Sequence, residues 1–100
     1  MKRVQVLNSG REVETTLYTS EEFRVVFIES FEAKTDMMYQ PVDEFVTIIQ
    51  GWALLEVGAD QHRLEVNDSF YIQKNTHHRV LMTSADCCWI CVYYLTLQTI

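Results

Sequence analysis

The sequence predicts an all-β protein, either a sandwich or a jelly-roll barrel. Apolar residues alternate with polar ones over short stretches, and helical spacing is nearly absent. The apolar stretches are rich in Val, Ile, Phe, Tyr and Leu, which suit a pleated, half-buried surface. Turn-forming residues interrupt them at short, regular intervals, the pattern of jelly rolls and related barrels.

Residues 4–7 form the first expected strand, broken by Asn8-Ser9-Gly10. Residues 12–18 and 24–31 are the next two, separated by Ser20-Glu21-Glu22, a break too short for a stable helix. Residues 45–49 form an apolar strand closed by Gly51. Strands 53–57 and 62–65 flank Gly58-Ala59-Asp60-Gln61, a hairpin loop. Val66-Asn67-Asp68-Ser69 makes a tight turn into strand 69–72. A polar loop through Lys74 and Asn75 leads to strand 78–83. The last strand, 89–97, is apolar on both faces. Trp89, Cys91, Tyr93 and Leu95 share one face; Ile90, Val92, Tyr94 and Thr96 share the other. A strand apolar on both sides in so small a protein implies cover on each face. A homodimer through sheet packing or strand exchange supplies it, or else an N-terminal strand of the same chain does.

The 100 residues match the size of a single domain, taken as 1–100. With 48% hydrophobic residues, the chain can build a core without disulfides. A net charge of −6 without a basic cluster disfavours nucleic acid. No apolar run resembles a signal peptide or reaches membrane-spanning length, so the expected location is cytoplasmic, with no membrane partner. Cys87, Cys88 and Cys91 are an odd set in a strand context. Residues three apart there point to opposite faces, so Cys88-Trp89-Ile90-Cys91 reads as reduced, structural thiols rather than a metal or redox motif.

Two stretches carry chemistry. Glu44 enters an apolar strand that ends at Gly51, and a polar loop after Ile72 delivers His77-His78. From about 34 to 94 the sequence resembles a small single-domain cupin, a jelly-roll barrel also called a double-stranded β-helix. Strands within 3–31 would complete the sheets. The family's first motif is G-x5-H-x-H-x3,4-E-x6-G, and Glu44 with Gly51 matches E-x6-G. Counting back from Glu44, the two histidine positions fall on Met38 and Gln40, or on Met37 and Tyr39; neither spacing supplies a histidine. The second motif is G-x5-P-x-G-x2-H-x3-N. His78 falls on its histidine, Asn67 and Asn75 on its glycines, Gln73 on its proline and Met82 on its asparagine. Asparagine tolerates the left-handed backbone that glycine serves there.

The resemblance implies a divalent metal in the barrel, with Glu44 and His78 as ligands and Gln40 as a third. Zn, Ni, Mn or Fe suits a carboxylate with an imidazole. Tyr39 and His77 are further candidate donors, Tyr39 also a candidate catalytic acid or substrate contact. No organic cofactor is expected. The cation would act as a Lewis acid on a small oxygen-rich molecule. The alternative is a metal-free hydrogen-bonded pair of Glu44 and His78, in a cupin that serves as a small-molecule binding or dimeric interaction module. Met37, Met38 and Met82 favour it, since soft apolar side chains stand where the metal form wants imidazole or amide.

Strand parity adds expectations of its own. Glu44, Val46 and Ile48 should point inward, as should His78, Val80 and Met82, with His77, Arg79 and Leu81 outward. Asp43 should sit solvated at the mouth rather than pair with Glu44 as an acid–base dyad. His62 should be exposed beside Arg63.

Overall fold

The computed structural model describes the backbone of residues 2–6 and 9–95 and the side chains of residues 10–95. Nine strands run through these residues: β1 (Lys2–Val6), β2 (Ser9–Thr19), β3 (Phe23–Lys34), β4 (Asp43–Gln50), β5 (Ala53–Val57), β6 (Asp60–Leu64), β7 (Ser69–Ile72), β8 (His78–Thr83) and β9 (Cys87–Tyr94). Each answers to an expected strand, and β5, β7 and β8 match to the residue. Residue 7 of the first expected strand and residues 96–97 of the last lie outside the described residues. No described helix is long and apolar enough to cross a membrane.

The strands form two antiparallel sheets, one ordered β1-β2-β3-β9-β4-β7 and the other β6-β5-β8. The fold is all-β, with the jelly-roll architecture that the strand pattern predicts. Alternation explains which sides face each other. Val26 and Ile28 of β3, Val46 and Ile48 of β4, and Trp89 and Cys91 of β9 are buried on the inner face of the larger sheet. Ala53 and Leu55 of β5, Leu64 of β6 and Val80 of β8 meet them from the smaller sheet. The chain crosses between sheets after β3. Thr35 N donates to the Val80 carbonyl (3.0 Å), and Met38 and His78 exchange backbone bonds of 2.8 Å. Residues 35–38 thereby run along β8 and bring Met38 opposite His78.

One inward expectation fails. Val80 is buried as expected, but Met82 is 39% exposed. Leu55 pairs with Val80 and Leu54 with Met82, so Leu81 is an extra residue in β8. This bulge flips the parity beyond it, turning Met82 outward and Thr83 inward. Thr83 then donates from Oγ1 to the Ser84 carbonyl and accepts from Ala33 N, each at 2.9 Å.

The turns hold the positive φ angles that the motif positions require. Asn67 (φ 75°) and Asn75 (φ 61°) both sit in the left-handed region. Gly51 has φ 74° as well, and a Cβ there would lie 2.2 Å from Ser84 Oγ and 3.0 Å from Cys87 Cα. Ser84 Oγ accepts from Trp52 N (3.0 Å), so it cannot swing away without losing that bond. Gly51→Ala is therefore expected to lose about 1–3 kcal/mol in urea unfolding. Gly58→Ala, at φ 59° with open space around it, should lose less.

Candidate functional site

The site is built from one cross-strand row and one loop. On the inner face of the larger sheet, Arg24 of β3 pairs with Tyr93 of β9, Tyr93 with Glu44 of β4, and Glu44 with Ile72 of β7. Opposite them stands His78, the first residue of β8. Directly opposed residues of an antiparallel pair project to the same side. The Met38–His78 bridge thus aligns Met38 with His78, and Gln40, two residues on, shares that parity. Arg24, Met38, Gln40, Glu44, His78 and Tyr93 line one cavity of about 380 Å³. Its apolar wall includes Val46, Leu55, Ile72, Val80 and Trp89.

Glu44 is 7% exposed. Burial is the chief cause that raises its pKa from 4.5 to about 7; hydrogen bonds to Cys91, Tyr93 and Gln40 hold it back from going higher. The Gln40 amide donates to Glu44 Oε1 at 2.6 Å. His78 is 4% exposed, and its Nδ1 lies 2.9 Å from the Thr76 carbonyl. A carbonyl only accepts, so Nδ1 carries the proton of the neutral ring and Nε2 presents a bare lone pair. That Nε2 is 3.8 Å from Glu44 Oε1, beyond direct hydrogen-bond range.

Other candidates fall elsewhere. Tyr39 is 59% exposed, and its ring lies 4.9 Å from that of His77, which is also exposed. Both have the parity opposite to Gln40 and His78, and neither lines the cavity. Asp43 does not line the cavity. It accepts from Tyr71 Oη (2.5 Å) and Lys74 N (2.7 Å), and the Tyr71 bond chiefly lowers its pKa. His62 is half-buried rather than exposed, since its ring packs 4.5 Å from Phe70. The three cysteines are free. Burial pushes Cys87 up to about 12 and Cys91 well above its ordinary value, so both stay thiols at neutral pH.

Sequence reasoning missed two features of the inner face. Glu12 is 7% exposed; its Oε2 accepts from Ser30 Oγ, which accepts from Trp89 Nε1, each at 2.9 Å. Burial outweighs the Ser30 bond and raises the Glu12 pKa. Arg24 holds its guanidinium 5.0 Å from the Tyr93 ring centre. Alternation from Val26 and Ile28 puts Arg24 on the inner face, and that signal was in the sequence. Glu12 is inward because it pairs with Ser30, which shares that parity, whereas apolar Val13 beside it points the other way.

The Cupin domain family matches residues 24–93. The chain belongs to the cupin family. No curated protein matches this cupin. Among solved structures it is similar to a candidate mannose-6-phosphate isomerase from Ralstonia eutropha JMP134, at TM-score 0.82 and 19% identity, covering 92% of each chain. It is similar to KdgF from a Halomonas species at TM-score 0.81 and 16% identity, covering 96% of this chain and 88% of that one. An RmlC-like cupin from Shewanella frigidimarina NCIMB 400 matches at TM-score 0.80 and 14% identity, over 97% and 86% of the two chains. At these identities the likeness shows the fold alone.

Cupins often hold a divalent metal; of the two motif spacings, the one that falls on Met38 and Gln40 has both residues in the cavity lining with Glu44 and His78. This donor set is one carboxylate, one imidazole, one amide and one thioether. Among the described residues, no group of three His, Cys, Asp or Glu converges on a point. Gln40 directs its amide nitrogen at Glu44, and a thioether suits only a soft ion. The residues present do not fit a hard divalent cation, for which three strong protein ligands are the usual minimum.

Proposed function

We propose that this cupin binds a small oxygen-rich organic molecule in its barrel without a metal. The observation that carries the reading is the facing pair of Glu44 and His78. A carboxyl that titrates near neutrality lies 3.8 Å from a bare imidazole nitrogen, inside a largely apolar cavity. The gap suits a ligand hydroxyl, which donates to His78 Nε2 while it accepts the proton of the neutral Glu44 acid. An apolar pocket with a few convergent polar groups is the usual makeup of a small-ligand site.

The alternative is Zn, Ni, Mn or Fe held by Glu44, His78 and Gln40. Elemental analysis of the purified, untagged protein separates the two, with His78→Ala as the control. The expected result is no stoichiometric metal in either protein, even after incubation with these ions. His78→Ala should also cost about 1–3 kcal/mol, because it removes the group that satisfies the Thr76 carbonyl and faces Glu44. Near-stoichiometric metal that disappears in His78→Ala contradicts the reading.

We propose also that two copies pair through the outer face of the larger sheet. Phe27 of β3 pairs with Ile90 of β9, and Val92 of β9 with Phe45 of β4; all four are half-buried on that face. Tyr71 and Tyr94, beside them, are 48% and 37% exposed. A contiguous apolar face of this kind supports a sheet-to-sheet homodimer. Light scattering should give twice the 11.8 kDa chain mass, and Val92→Arg should return the monomer. A wild type that stays monomeric at high concentration contradicts the dimer.

A further inference from the structure

Arg24 brings a guanidinium into the cavity from outside the two motif regions. It lies on the inner face of β3, level with Tyr93 and Glu44. Its guanidinium rests over the Tyr93 ring, and its Nε is buried without a hydrogen-bond partner. No carboxylate among the described residues forms an ion pair with it; the pairs present involve Arg63, His78 and Arg79. A buried, unpartnered N–H of a charged group costs about 1–3 kcal/mol or more, so an acceptor that enters the cavity gains by completing it.

An anion completes it best. The guanidinium offers Nε–H and an Nη–H as a parallel fork, which matches the two oxygens of a carboxylate. The Tyr93 ring fixes the plane of that fork. A phosphate is also an anion, but the acidic side chains of Glu12, Glu14, Asp36 and Glu44 line the same cavity and repel a dianion more than a monoanion. Arg24 and Glu44 stand two strands apart, with Cα atoms about 10 Å from each other. After side chains reach inward, that span suits a molecule of a few carbons.

We infer that the occupant of the cavity is a small hydroxycarboxylic acid, with its carboxylate on Arg24 and its hydroxyl between Glu44 and His78. This rests on the reading of the cavity as a small-molecule site and names its ligand class. Lactate and gluconate are the probes, with propane-1,2-diol and glucitol as their uncharged counterparts and inorganic phosphate as the rival anion. Two-dimensional NMR of the full chain follows the Arg24 Nε–H signal directly, and calorimetry gives the affinities.

The expected result is that at least one hydroxycarboxylate shifts the Arg24 Nε–H signal and binds better than its uncharged counterpart. Arg24→Met should weaken that binding about tenfold or more, with no change for the uncharged counterpart. Arg24→Lys, which keeps the charge but loses the fork, should weaken it too and guards against a folding defect. Tighter binding of phosphate, equal binding to wild type and Arg24→Met, or a silent Arg24 Nε–H overturns the ligand class. Uncharged probes that bind as well as the acids, and are lost in His78→Ala, overturn the Arg24 anchor and leave the cavity reading intact. Binding of no probe at all overturns both.

Discussion

Glu44→Gln is expected to stabilise the barrel by up to about 3 kcal/mol above pH 7 and to flatten its stability between about pH 4.5 and pH 7. The unfolded carboxyl titrates near 4.5 and the folded one near 7, so in this window the folded state holds more protons than the unfolded state. Stability is then fully present below about 4.5 and is lost as the pH rises through 7. The cause is burial: ionised Glu44 has no cation among the charges acting on it, and three hydrogen bonds only partly replace water. Glu12, also raised by burial, adds a change of the same sign. Glutamine keeps the shape and removes the charge. Urea unfolding from pH 4.5 to 8.5 on both proteins checks the expectation. A wild-type stability that rises with pH over this range contradicts it.

Ser30→Ala should be the most damaging single change on the inner face outside the aliphatic core, with a loss of about 2–4 kcal/mol. Ser30 is fully buried and bridges Trp89 Nε1 to Glu12 Oε2. Alanine removes both bonds at once and leaves an indole N–H and a carboxyl without partners. The cavity left by one oxygen is small, so the penalty is one of unsatisfied polar groups rather than lost packing. Ser30→Thr keeps the hydroxyl and serves as the comparison. If Ser30→Ala unfolds at the same urea concentration as the wild type, the bridge does not stabilise the fold.

The strands were legible because each buries one face, and a period of two in the side chains records that face directly. Asn67 and Asn75 were legible as left-handed positions for an equally local reason, since few other residues adopt positive φ cheaply. Met82 was misplaced because the bulge at Leu81 carries no mark in the sequence. An extra leucine in an apolar strand looks like any other leucine, and only pairing with β5 reveals it. The cavity positions of Glu44 and His78 could be read because their distances to Gly51 and Asn75 are set by turns. Gln40 and Tyr39 differ by a single residue, and spacing left both open. The cross-strand bridge from Met38 to His78 is what puts Gln40 inside and Tyr39 out. Arg24 and Glu12 come from strands outside the two motif regions. Parity put Arg24 on a face but gave no sign that the face lined a cavity, and for Glu12 it pointed to the wrong face, since apolar Val13 beside it faces outward.

In the proposed function, Glu44 and His78 face the ligand as an acid and an imidazole without a metal. Carbon-detected NMR of the Glu44 side-chain carboxyl tests it most directly, first in metal-stripped protein and then with one equivalent of zinc. The expected result is a titration midpoint near pH 7 in both samples. A carboxyl that titrates near 4.5, or one that zinc holds ionised well below pH 7, would contradict it.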